Sequence, residues 1–419
     1  MNALRPVSPR PFQIMVKPIG PVCNLRCGYC YYLEKQALYP SADAFRMSDA
    51  VLERFICDYL AALNTPEVVF AWQGGEPLLM GLPFFQRVVE LQHKYAGGAR
   101  IANALQTNCT LLTPEWCAFF KQHNFLIGAS IDGPPELHNR FRRYPDGSPS
   151  FDAVVRGIQL LIDHHVDVNA LTVISSANER HPLDVYHFLK NLGVKFMQFI
   201  PLVERLPDDE ARRLGLDLAE PPAPGRAPSR PRVTAWSVHP RRFGDFLIAI
   251  FNEWIRHDVG TTFVQYFDVA LGSFTGHPGA LCVFAERCGT ALVLEHNGDL
   301  YACDHYVYPS HRLGNIMETP LVDMVNSPRQ LAFGNSKCDA LTRTCRDCPV
   351  RFACNGDCLK HRFCTAPSGE TGHSYLCQGL KRFFHHITPY MQTMAALLRN
   401  RRPPADIIQL VDQIDGTDV

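Results

Sequence analysis

Apolar and polar positions alternate between two periodicities over the first two hundred residues. Short apolar runs at 12–17, 68–72, 101–106, 125–131, 168–174 and 196–202 read as strands. Amphipathic stretches at 48–63, 83–95, 114–122, 151–164 and 181–192 lie between them and read as helices. Ser48 and the Thr113-Pro114-Glu115 step supply helix starts, with a capping hydroxyl and, in the second, an early proline. This alternation predicts βα units around a parallel sheet. Six units make a partial (β/α)6 TIM-like barrel, open on one side, with functional groups at the C-terminal ends of its strands.

The pattern then changes. Residues 204–236 hold a charged run followed by PPAPGRAPSRPR, which reads as an exposed insertion or linker. A helix is predicted over 242–257, short strands at 291–295 and 300–303 within a cysteine-rich region, and a last helix over 382–399. The implied division is a core over 1–236, a linking helical segment over 237–281, a small cysteine-rich domain over 282–380 and a C-terminal helix and tail over 381–419. No internal repeat is visible.

Composition narrows the function classes. Lys plus Arg and Asp plus Glu both number 41, and no basic stripe stands out, which disfavours nucleic acid as a partner. No stretch resembles a signal peptide or a membrane span, so a cytoplasmic protein without a membrane partner is expected. Sixteen cysteines in a reducing compartment point to metal or redox work rather than disulfides.

Cys23, Cys27 and Cys30 form C-x3-C-x2-C directly after the first strand. Three thiolates can hold three irons of a 4Fe–4S cubane and leave the fourth open to a chelating small molecule. A structural zinc would want a fourth ligand nearby, usually from C-x2-C pairs, and none is in reach in the sequence. Gln73-Gly74-Gly75-Glu76-Pro77 follows the second strand, where glycines let a backbone approach a ligand closely. Gly128-Ala129-Ser130-Ile131-Asp132-Gly133-Pro134 ends the fourth.

Together these motifs resemble the radical SAM superfamily. The resemblance implies S-adenosyl-L-methionine (SAM) contacts from Tyr29, Gly74, Gly75, Glu76, Ser130, Arg142 and Val203, with Arg142 pairing the SAM carboxylate. One position departs: Cys109 stands where relatives usually have glycine, so a positive backbone angle there would be strained. Cys109 is given no ligand role.

The later cysteines number eight in an ordered series, enough for two fully ligated 4Fe–4S clusters or for two zinc sites. The series resembles the SPASM extension of radical SAM enzymes. That implies one auxiliary cluster on Cys282, Cys288, Cys303 and Cys358 and a second on Cys345, Cys348, Cys354 and Cys377, three clusters in all. Cys303-Asp304-His305-Tyr306-Val307 narrows the resemblance to anaerobic sulfatase-maturating enzymes, over almost the whole chain except the Pro-rich insertion. The implied reaction oxidises a cysteine or serine in a sulfatase polypeptide, within a C/S-x-P/A-x-R type motif, to Cα-formylglycine. The adenosyl radical takes hydrogen from Cβ, Asp304 takes the thiol or hydroxyl proton as a general base of raised pKa, and an electron leaves through an auxiliary cluster. A low-potential donor such as flavodoxin or ferredoxin is implied as a partner. The competing readings are another SPASM-type peptide modifier that makes thioether or carbon–carbon crosslinks, and a non-catalytic iron–sulfur or zinc protein.

Overall fold

The structure is a computed structural model that describes residues 7–40, 44–225, 232–277 and 281–416. Six strands form its centre: β1 (Gln13–Lys17), β2 (Glu67–Trp72), β3 (Arg100–Thr107), β4 (Phe125–Ser130), β5 (Asp167–Ile174) and β6 (Phe196–Pro201). They pair in sequence order, all parallel. The helices Asp49–Ala62, Leu82–Tyr95, Pro114–Gln122, Phe151–Asp163 and Pro182–Asn191 connect them. The side chains of Ser48 and Thr113 accept from Val51 N and Trp116 N, so both predicted caps are made.

The sheet does not stop at the six strands. β7 (Phe263–Val264) extends it beside β6. On the other side β8 (Ala291–Glu295) pairs in parallel with β1 along its full length, from Gln13↔Ala291 to Lys17↔Glu295. β9 (Asp299–Tyr301) and β10 (Arg312–Asn315) follow antiparallel, giving ten strands in one sheet. The cysteine-rich region is thus built onto the barrel edge. Ile14, Val16, Leu292 and Leu294 are buried in a single apolar core with residues from every layer.

Helix Cys377–Arg399 packs across helix Pro240–His257. The crossing is close because both contribute glycine: a Cβ on Gly379 would sit 2.0 Å from the Pro240 carbonyl oxygen. No helix among the described residues is long and apolar enough to cross a membrane.

The Pro-rich segment departs from expectation. Residues 226–231 lie outside the described residues, but its first part is docked rather than exposed. A short helix, Asp209–Arg213, is capped by the Asp208 carboxylate, and Ala211 and Leu216 pack on Tyr308. The Glu34 carboxylate accepts from Asp217 N at 2.7 Å and Leu218 N at 3.0 Å. A few apolar anchors inside a polar, proline-rich run are enough to hold it.

Candidate active site

A cavity of about 220 Å³ opens at the C-terminal ends of the parallel strands. Its wall includes Cys23, Cys27, Cys30, Tyr29, Gly74, Gly75, Ser130 and Arg142. The loop after β1 is pinned by its own backbone: Arg26 N donates to Arg143 O at 2.8 Å and Gly28 N to Phe141 O at 2.9 Å. Asn24 ties it to the turn after β3, accepting from Asn108 Nδ2 and donating to Thr110 Oγ1, both at 2.8 Å. Gly75 permits the closest contact, since a Cβ there would lie 1.8 Å from the Val22 carbonyl oxygen.

The donor chemistry fits an iron–sulfur cluster. Burial pushes the Cys23 and Cys27 thiols up to about 12, so holding them as thiolates needs a strong positive charge at this spot. Cys345, Cys348, Cys354 and Cys377 ring a second, small cavity of about 30 Å³. Cys282, Cys303 and Cys358 stand within electrostatic reach of one another, and Cys288 of Cys282. Among the described residues no group of three or more His, Cys, Asp or Glu is arranged to hold a single ion. Zinc sulfurs crowd around one centre at about 2.3 Å, whereas each cysteine of a cubane meets its own iron.

Two of the expected SAM contacts stand behind the wall. Glu76 is fully buried, and its carboxylate accepts from Leu78 N at 3.0 Å, Thr107 Oγ1 at 2.8 Å and Asn108 N at 2.8 Å. It clamps the loop after β2 to the turn after β3. Val203 is likewise buried off the main cavity; Ile200, Pro201 and Leu202 form that part of the wall. Arg142 does reach the cavity, but its Nε donates to Asp132 Oδ2 at 2.9 Å. The Tyr29 hydroxyl donates to the same oxygen at 2.5 Å, so Tyr29 offers the cavity its ring and backbone. Cys109 adopts φ 63°, the left-handed conformation anticipated for that turn, and packs its thiol inward.

Asp304 lies beside this cavity because β8 and β9 carry it to the end of β1. Lys17 Nζ pairs with its Oδ1 at 2.5 Å, and the Tyr31 hydroxyl donates to its Oδ2. Lys17 also donates to Gln73 Oε1 at 2.9 Å and sits 3.9 Å from the Tyr32 ring centre. The expected raised pKa is reversed. Burial does push the carboxyl up, but the Lys17 charge and the Tyr31 hydrogen bond outweigh it and hold Asp304 at about 2. Burial lowers His305, on the cavity wall, to about 3 and leaves it neutral.

Comparison with known proteins places this geometry. Residues 18–189 match the family model described as the radical SAM superfamily, and residues 282–349 match the iron–sulfur cluster-binding SPASM domain. The serine-type anaerobic sulfatase-maturating enzyme of Bacteroides thetaiotaomicron is 45% identical over 96% of this chain and 95% of its own. The chain belongs to the anaerobic sulfatase-maturating enzymes. The cysteine-type member from Clostridium perfringens is 30% identical over 92% of this chain and 98% of its own. The solved structure of native anSMEcpe with bound AdoMet superposes with a TM-score of 0.79 at 30% identity, covering 92% of this chain and 100% of that one.

Within this family member, sequence reasoning missed Lys17, Tyr31, Gln73 and Asp132. Lys17 and Gln73 look like ordinary strand-end residues until β8 brings Asp304 beside them. Asp132 lies inside the Gly128–Pro134 motif, which by itself gives it no role. Its position two residues after Ser130, with Arg142 a short helix away, was the one available signal.

Proposed function

We propose that this chain oxidises a serine or cysteine side chain of a sulfatase polypeptide to Cα-formylglycine. Family membership supports the reaction class. The observation that carries the site is that Asp304, through Lys17, Gln73 and Tyr31, joins the same cavity that Cys23, Cys27 and Cys30 line. Serine is the favoured target, since identity to the serine-type relative is 45% against 30% to the cysteine-type one.

Cys23, Cys27 and Cys30 would hold a cluster that, with bound SAM, would supply a hydrogen-abstracting radical, and the two later cysteine sets would hold clusters able to carry single electrons. The chain's own residues do the rest. Gly74 and Gly75 bring backbone to the cavity, Ser130 and the terminal nitrogens of Arg142 present donors, and the Asp132–Arg142–Tyr29 network fixes that side of the wall. Asp304 accepts the target's hydroxyl or thiol proton. A carboxylate held at about 2 is a weak base, yet it is always ionised. The proton it meets is strongly acidic once the carbon has lost a hydrogen atom and an electron, so low basicity suffices.

The test is anaerobic incubation of reconstituted protein with SAM, dithionite and two peptides that differ only in serine or cysteine within the C/S-x-P/A-x-R motif. The expected product is an aldehyde trapped by a hydrazine, formed faster from the serine peptide. A peptide that loses two hydrogens without hydrazine reactivity would instead indicate crosslink chemistry and overturn the proposal.

A further inference from the structure

The cavity ringed by Cys345, Cys348, Cys354 and Cys377 is separate from the main one, and its rim is basic. Arg351 and Lys381, both exposed, share its wall. Lys381 continues into a shallow groove with Arg382 and His385 on the outer face of helix Cys377–Arg399. On the other flank stand Arg343 and Arg346, whose side chains are 77% and 50% exposed. The nearby carboxylates, Asp347, Glu370 and Asp245, pair with Arg343, Arg346 and Arg382, so five cations face three anions. The chain as a whole carries no net charge, so this excess is local. Phe352 stands beside Arg351, 49% exposed, with its ring in a T-shaped contact with Phe274, the ring centres 4.9 Å apart. An exposed, propped aromatic among arginines is the usual composition of an interface anchor.

Resting on the function proposed above, we infer that this face docks a small acidic one-electron carrier protein, which exchanges electrons with a cluster on Cys345, Cys348, Cys354 and Cys377. The electron balance requires an exchange. SAM is the net oxidant: it leaves as methionine and 5′-deoxyadenosine, which has gained one hydrogen of the target. One electron enters to start each turnover, and one leaves when the target carbon becomes a carbonyl and its proton goes to Asp304. A carrier that docks here supplies the first and takes back the second. Transient electron-transfer contacts are steered by charge, which suits a locally basic patch.

The experiment uses reconstituted holoenzyme and a flavodoxin as the acidic probe. Arg346→Glu with Arg382→Glu should weaken flavodoxin binding at least tenfold at low salt and flatten its salt dependence. Phe352→Ala, which alters no charge, should weaken binding without changing the salt slope. Arg100→Glu, a single charge reversal of the same kind at the far end of β3, should leave affinity unchanged. Aldehyde formation driven by flavodoxin should fall with binding, while that driven by dithionite should not. Unchanged flavodoxin affinity in the double variant, or an equal fall with Arg100→Glu, overturns the docking face. Absence of aldehyde with dithionite in the unaltered enzyme would sink the proposed reaction instead, and the binding measurement would still decide the docking face.

Discussion

At Asp304 burial and ion pairing pull in opposite directions, and the pairing wins. Lys17 is itself 1% exposed, so each charge is tolerable only because of the other. Asp304→Asn should abolish aldehyde formation while keeping iron content and SAM cleavage; a normal aldehyde yield would remove Asp304 from the mechanism. Lys17→Met leaves a half-buried carboxylate without its cation, which should destabilise by about 3 kcal/mol at most. The double variant, Lys17→Met with Asp304→Asn, should recover most of that loss in thermal unfolding. A double variant as unstable as Lys17→Met alone would mean that the lysine acts through packing on Tyr32 rather than through the charge. Glu76 makes the opposite case. Burial pushes its carboxyl up to about 7 despite three hydrogen-bond donors. A raised pKa means the folded protein holds a proton that the unfolded chain releases between about pH 4.5 and 7. Stability should therefore fall as pH rises through that window, by no more than about 3 kcal/mol. In Glu76→Gln the fall should flatten, which melting temperatures measured from pH 5 to pH 8 would reveal.

Among the elements, the loops after β1 and β2 depend on one another through Gly75. A methyl group at Gly75 cannot fit 1.8 Å from a carbonyl oxygen, so the backbone must move. Gly75→Ala should lower iron in the first site and weaken SAM binding, with the iron of the two later sites retained. Gly272→Ala, at a helical glycine with open space around it, should change neither. Equal iron loss in both variants would contradict the close-approach argument. The six core strands and their helices were legible in the sequence to within about two residues, because a buried stripe or an alternating run is a local property. The cysteine spacings were legible for the same reason. What eluded the sequence is pairing at a distance. Nothing local tells that β8 lies along β1, and so nothing tells that Lys17 meets Asp304 or that the Asp304 pKa drops. Glu76 sits in a motif beside the cavity, yet its side chain turns inward to cap three backbone and hydroxyl donors. Val203 follows β6, but the main cavity is lined there by its neighbours Leu202 and Glu204 while Val203 turns away. The anchors of 204–225 were hidden by the proline and charge around them.

For the whole molecule, the pairing of β1 with β8 decides whether core and cysteine-rich region are separable. β1 is a central strand: Ile14 and Val16 are fully buried, and its register with β8 runs over all five residues. The C-terminal helix ties the later half to the linking segment a second time, where helix Cys377–Arg399 crosses helix Pro240–His257 at Gly244 and Gly379. Removing residues 282–419 would therefore strip one edge of β1 and uncover the apolar face of helix 240–257, where Phe243, Leu247, Ile250 and Phe251 are buried. A naked edge strand next to an apolar patch invites association. The fragment 1–281 should accordingly aggregate or stay in inclusion bodies, although it contains Cys23, Cys27 and Cys30 and every strand from β1 to β7. A point change should act the same way at lower cost: Leu292→Ala, on the strand that covers β1, should destabilise by about 2–5 kcal/mol and lower iron in the first site as well as the later ones. A soluble, monomeric 1–281 that takes up iron at the first site would show instead that the barrel folds by itself and that β8 merely leans on it.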